Sequence, residues 1–222
     1  MNDALSAFGP HATLAADLLH ATGPAGTDGS HDLSHILRVW RNAAAIAAAE
    51  AANGANADME LIAAAVMLHD CVAVEKNSPQ RAFASRLSAV RAREIVVAMG
   101  WSAERAAALA HVVEAHSFSA AIEPRTLEAF VLQDADRLDA IGAIGVARCF
   151  YIAGRMNSAL YEPNDPTGAH RALDDRRYAL DHFETKLFRL VDGFRTKAGQ
   201  AMAVRRTATM RGFVQALLEE IA

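Results

Sequence analysis

Along most of this chain the apolar positions recur three and four residues apart, and short clusters of turn-forming residues interrupt the rhythm. Residues 23–30, rich in glycine with one proline, read as a loop. After it the pattern predicts a helix over 33–52, with Ser30 or Asp32 placed to cap it and Asn53-Gly54 to end it. Asp58 caps a second helix over 59–71. Its body, Leu61-Ile62-Ala63-Ala64-Ala65-Val66-Met67-Leu68, is apolar on every side and belongs in a core.

Ser78-Pro79 supplies a capping residue followed by a proline in the first turn, which opens a third helix carrying Phe83, Leu87, Val90, Ile95 and Val96. Trp101-Ser102 starts a fourth, through His111 to His116. Residues 123–126 precede a fifth, through Phe130 and Leu132 to Asp139. Gly142 and Gly145 permit close packing of the next stretch, 141–154. Residues 156–175 change character: two prolines and a glycine among turn formers predict a long loop, of a length that is often functional or mobile. Helical spacing returns over 177–191 and again over 196–221. The expectation is an all-α protein: an N-terminal helix and loop over 1–30, then one helical domain over 31–222 with a long loop before its C-terminal helices.

Composition sharpens this picture. Hydrophobic residues make up 52% of the 222 positions but aromatics only 6%, so alanine is the filler, and alanine favours helix over sheet. The formal charge of -4 gives no field that would gather nucleic acid. Cys71 and Cys149 show no paired spacing, which argues against a disulfide framework or a zinc knuckle. The N-terminus lacks a basic, then apolar, leader, and the apolar run 61–68 is too short to span a bilayer. The protein is expected to be soluble and cytoplasmic, with no membrane or nucleic-acid partner.

The chemistry starts at His69-Asp70, at the end of the apolar helix. A carboxylate and an imidazole there are costly unless something compensates, and a metal ion is one such compensation. The plainer alternative for a dipeptide alone is a hydrogen-bonded His–Asp pair. His35 and Asp136 lie near the ends of two other predicted helices. Two imidazoles and two carboxylates form a mixed N/O set that suits Mn, Fe, Co, Ni or Zn rather than Ca. Lys76 and Arg81 flank the start of the third helix, where backbone N–H groups favour an anion, and Arg38 on the His35 helix is a further candidate for a phosphate. His116 has several candidate roles: substrate phosphate, proton relay, second metal, or a buried hydrogen-bonded histidine. His31 could share the face of His35, whereas His111 does not stack on His116. Cys71 reads as a packing residue behind the ligands.

These residues, in their contexts Ser34-His35-Ile36-Leu37-Arg38-Val39, Leu68-His69-Asp70, Ala115-His116-Ser117-Phe118-Ser119 and Gln133-Asp134-Ala135-Asp136-Arg137-Leu138-Asp139, resemble the HD-domain metal-dependent phosphohydrolase superfamily, and within it a bacterial branch of YedJ/YpgQ type. The likeness runs from about His31 to the C-terminus. It implies that 31–222 is an HD-type helical bundle and that His35, His69, Asp70 and Asp136 hold one divalent ion. Manganese comes first, with Fe, Co, Ni, Zn or Mg as alternatives. Asp136 is preferred to Asp134 and Asp139 because the family's aspartate directly precedes a basic–Leu pair. Asp70 and His116 are then the residues expected to serve the chemistry, with Arg38, Lys76, Arg81 and His116 on the substrate. The implied activity is hydrolysis of a phosphate ester or anhydride in a small molecule, a nucleotide being the first candidate. A homodimer is left open. Two other classes stay in view: a di-iron oxygenase of the same fold, which needs extra histidines, and a non-catalytic nucleotide sensor.

Overall fold

The computed structural model describes residues 3–23, 32–74, 81–117 and 120–222. Among them the chain is all-α, as the pattern predicts. Its helices are α1 (Ala12–Thr22), α2 (Leu33–Ala52), α3 (Met59–Leu68), α4 (Ala84–Ala98), α5 (Ala103–Ala115), α6 (Leu127–Asp139), α7 (Gly142–Arg155), α8 (Asp181–Thr185) and α9 (Lys197–Glu220). The extended pairing among the described residues is an isolated parallel bridge between Ala159 and Tyr178. The chain divides into two compact units, Met1–Asp136 and Arg137–Ala222.

The first unit is organised by α3. Every side chain from Leu61 to Leu68 is buried, and the helix packs on α1, α2, α4 and α5. Each large aliphatic side chain in it contributes roughly 1.5–3 kcal/mol by leaving water. That burial fixes where the helix ends, and hence where His69 sits. The helix stops at Leu68, three residues short of the expected end. Capping works as the sequence suggests. The Asp32 carboxylate accepts from the His35 N–H at 3.1 Å, Asp58 from the Leu61 N–H at 2.9 Å, and Ser102 Oγ from the Arg105 N–H at 3.2 Å. Each such cap is worth about 1 kcal/mol. Ahead of α1, a 3₁₀ segment Asp3–His11 kinks at Gly9, whose φ of 58° suits glycine. It lays Phe8 against Trp40 with ring centroids 4.6 Å apart, and Trp40 Nε1 donates to the Ala7 carbonyl at 2.8 Å.

In the second unit α7 packs on α9. Gly145 lets the chain close against the Ala140 carbonyl, where no Cβ would fit. Phe183 gathers Phe188 at 5.9 Å and Phe213 at 6.2 Å between centroids, and Phe150 lies 5.7 Å from Phe213. The long loop over 156–175 is tied down at several points. Asp165 accepts from the N–H groups of Ala169 and His170, and Arg171 grips the buried Asp181 through two bonds of 2.6 and 2.7 Å. The same contacts correct the expectation of a continuous helix over 177–191. Asp181 is drawn to Arg171 and to the Asp174 N–H, and Lys186 leaves helical geometry at φ −139° and ψ −58°. The segment is therefore a short α8 followed by a 3₁₀ turn, Leu187–Gly193. Gly193 lies directly against the Arg137 guanidinium, where a side chain would collide.

Candidate metal centre

Three helices of the first unit bring one donor each to a common point. His35 stands in the opening turn of α2, held there by the Asp32 cap. His69 is the residue that ends α3, and Asp136 lies in the last turn of α6. His35 and His69 are 2% and 1% exposed, whereas Asp136 is about a third exposed at 32%. The pocket is thus dry on its imidazole side and open on its carboxylate side. His35 Nε2 is 3.2 Å from His69 Nε2. Asp136 Oδ1 is 3.6 Å from the first and 3.9 Å from the second.

The imidazole of His69 has its tautomer set by its own helix. Its Nδ1–H donates to the Val66 carbonyl at 2.8 Å, one of the last-turn carbonyls that a helix leaves without a partner. In the neutral ring this leaves the Nε2 lone pair towards His35. A lone pair facing another ring nitrogen at this distance needs a proton or a cation between them. With metal–nitrogen bonds of about 2.0–2.1 Å, two nitrogens so spaced subtend about 100° at an ion, between the octahedral and tetrahedral angles. Two nitrogens and a carboxylate oxygen, mutually within 4.8 Å, fit a divalent transition ion.

His116 repeats the device. It ends α5, its Nδ1–H donates to the Val113 carbonyl at 2.6 Å, and its ring meets that of His69 edge-on with centroids 5.0 Å apart. Burial and the neighbouring His69 hold its pKa below the ordinary histidine value, so the ring is neutral at neutral pH. Asp70 lies between the two rings, with Oδ2 3.7 Å from His69 Nε2 and Oδ1 3.7 Å from His116 Nε2. Asp70 thus adjoins the His35–His69–Asp136 group, and it is more exposed than either imidazole.

The rival carboxylates and His111 are not in this group. Asp139 is buried against Arg148, accepting at 2.8 Å, and Asp134 is fully buried. His111 Nε2 accepts from the Arg125 N–H at 3.1 Å. Burial and Arg125 lower its pKa. Arg38 donates to Ser34 Oγ, one turn back on α2, at 3.0 Å. Arg81 begins a 3₁₀ turn, Arg81–Phe83, ahead of α4. Lys76 and His31 lie outside the described residues, as does the expected start of the third helix at Ser78-Pro79. The Cys71 thiol is pushed up to about 11 by burial, which fits a packing residue. Two buried amides that sequence reasoning gave no role also touch this region. Asn42 Nδ2 donates to the Ala135 carbonyl at 3.0 Å, and Gln133 Nε2 to the Ala115 carbonyl at 2.8 Å. A polar residue two turns after His35, and another one turn before Asp136, was the available signal.

A family model described as "HD domain" matches residues 32–141, which contain His35, His69, Asp70, His116 and Asp136. The chain belongs to the HD-domain family and has the HD-superfamily hydrolase fold. Within that family it is similar to YpgQ of Bacillus subtilis, described as an uncharacterized protein: 33% identical over 195 residues, covering 86% of this chain and 84% of YpgQ. The crystal structure of YpgQ in complex with ADP superposes with a TM-score of 0.66 at 29% identity, covering 98% of this chain and 96% of that one. An HD-superfamily hydrolase from Bacillus thuringiensis gives 0.68 at 27% identity, with 96% and 95% covered. Among the described residues no helix is long and apolar enough to cross a membrane.

Proposed function

We propose that this protein is a metal-dependent phosphohydrolase of small phosphorylated molecules, nucleotides first among them, with His35, His69, Asp70 and Asp136 holding one divalent ion. The observation that carries the reading is the facing pair of buried imidazoles, one with its ring orientation fixed by its own helix, beside a carboxylate about a third exposed. The ADP bound by YpgQ favours a nucleotide. A divalent ion at such a site supplies Lewis acidity, drawing charge from a phosphoryl oxygen and making a nearby water more acidic. Manganese is the first choice for this donor set, with Fe, Co, Ni, Zn or Mg as alternatives.

The chain's own residues do the rest. His35 and His69 keep the imidazole side dry, so that charges there interact strongly. Asp70, flanked by His69 and His116, is placed to take a proton from an attacking water, and the neutral His116, whose Nε2 keeps its lone pair, to receive that proton and pass it on. Arg38, Lys76 and Arg81 are the cations assigned to the phosphates. The test is to strip the protein of metal, reload it with Mn, Co, Ni, Mg or Zn, and assay it against a nucleotide panel with product identification. His69→Ala and Asp70→Ala should lose metal uptake and turnover together, whereas Lys76→Ala should lose substrate affinity alone. Turnover surviving in either ligand variant refutes the site, and two irons per chain with O₂ uptake refutes the reaction class.

A further inference from the structure

The two buried amides form a pattern. Asn42 lies seven residues after His35 on α2, two turns on and therefore on the same face. Its Nδ2 donates to the carbonyl of Ala135, the residue immediately before Asp136. Gln133 lies one turn before Asp136 on α6. Its Nε2 donates to the carbonyl of Ala115, the residue immediately before His116. Each bond therefore links a site-bearing helix to the backbone one residue away from another site residue. Asn42 is 6% exposed and Gln133 3%, each buried on a helix whose other buried positions are largely alanine and aliphatic. Apolar contact is non-directional and singles out no one atom of the facing helix. A hydrogen bond to one particular carbonyl does.

The two amides differ in what they leave over. Gln133 Oε1 is buried and accepts no hydrogen bond from the described residues. A buried acceptor with no donor opposes stability, so Gln133 gives the fold less than its single bond suggests. The Ala115 carbonyl, in contrast, belongs to the last turn of α5, where carbonyls lack intrahelical donors. The Gln133 amide and the His116 ring between them satisfy two of these, those of Ala115 and Val113.

We infer that Asn42 and Gln133 are positioning residues for the metal centre, Asn42 setting Asp136 against His35 and Gln133 setting α5, with His116 at its end, against α6. The inference rests on the metal reading above, and the experiment separates the two. Manganese alone is the probe, with its affinity measured by calorimetric titration and the symmetry of its environment by electron paramagnetic resonance. The variants are Asn42→Leu and Gln133→Met, with Asn42→Ser and Gln133→Glu as second choices should either fail to fold. The control is Val96→Ala on α4, fully buried and outside the site, which lowers stability without touching a clamp. Metal-free melting temperatures place all variants on one stability scale.

Asn42→Leu should weaken manganese binding about tenfold and broaden its spectrum, while Val96→Ala at equal or greater loss of stability binds as the wild type does. Gln133→Met exchanges one unpartnered acceptor, its own Oε1, for another, the Ala115 carbonyl, so it should lower the melting temperature no further than Val96→Ala does. It should bind manganese nearly as tightly yet abolish the spectral difference that His116→Ala produces in the wild-type background. Manganese affinity that tracks melting temperature alike in clamp and control variants overturns the inference and leaves the metal reading standing. Manganese binding that survives His35→Ala and Asp136→Ala overturns the metal reading itself.

Discussion

Asp136 and Asp139 stand three residues apart on one helix, and their exchange for asparagine should have opposite consequences. Asp139 is 1% exposed and accepts from Arg148, itself only 22% exposed, at 2.8 Å. Asparagine keeps an acceptor there but removes the charge. A hydrogen bond between charged groups is worth about 1.5–3 kcal/mol and a neutral one about 1, so Asp139→Asn should cost about 1.5 kcal/mol. For a chain of this length that is a fall of about 3–6 °C in the melting temperature. Asp136 is about a third exposed and its nearest groups are imidazoles, so Asp136→Asn should move the metal-free protein by no more than about 0.5 kcal/mol. Manganese reverses the ranking. An ion present at a hundred times its dissociation constant stabilises the native state by about 2.7 kcal/mol, which raises the melting temperature by about 5–11 °C. Wild type and Asp139→Asn should both show that increment, and Asp136→Asn should lose nearly all of it. Thermal melts with and without manganese decide the matter. An increment retained by Asp136→Asn but lost from Asp139→Asn would show that the wrong carboxylate has been assigned.

Three more expectations follow from the geometry. Burial pushes the thiols of Cys71 and Cys149 up to about 11, so at pH 8 neither should react with a disulfide reagent until the chain is unfolded; stoichiometric labelling of the native protein contradicts this. The Asp175 carboxyl is held below its ordinary value of 3.8, chiefly by the hydrogen bond with His182, with burial opposing and Thr185 and Lys186 assisting. The stability this contributes is present above that ordinary value and lost as pH falls through the lowered one. His182→Ala should therefore move the Asp175 midpoint upward in a carboxyl NMR titration, and an unmoved midpoint rejects the pairing. Phe8, 1% exposed beneath Trp40, should cost about 3–5 kcal/mol when cut to alanine. Denaturant unfolding followed by tryptophan fluorescence measures it, and a loss under 1 kcal/mol means that the N-terminal segment is not part of the cooperative core.

The helical frame was legible because its signals are local. Asp58 and Ser102 announce their helices by side-chain chemistry within three residues, and the all-apolar run 61–68 has only one place to go. The three donors of the metal-capable group were legible too, His35 and His69 by standing at helix ends and Asp136 by family likeness. What was not legible depends on partners remote in sequence. The predicted helix over 177–191 breaks where Asp181 answers to Arg171 and to the Asp174 N–H and Lys186 leaves helical geometry, and the apolar spacing does not report that. Asn42 and Gln133 escaped for the same reason: a lone amide on an amphipathic helix looks like solvent-facing polarity until its distant carbonyl is known. Asp139, by contrast, shares enough of the face of Asp136 to have been a rival; the structure sets it against Arg148 and sets Asp136 beside the two imidazoles, as the family likeness implied.

The rings of His69 and His116 each lean on a carbonyl of the helix they terminate, and this bears on how quickly the centre can be filled and emptied. His69, a ligand in the proposed site, has no rotamer search to perform when a cation arrives, and His116 beside it none when substrate does, since folding has already stopped that motion. Loading would then be paced by how fast the incoming ion sheds its hydration water. A slow-exchanging cation such as nickel should enter sluggishly and a fast one such as manganese promptly.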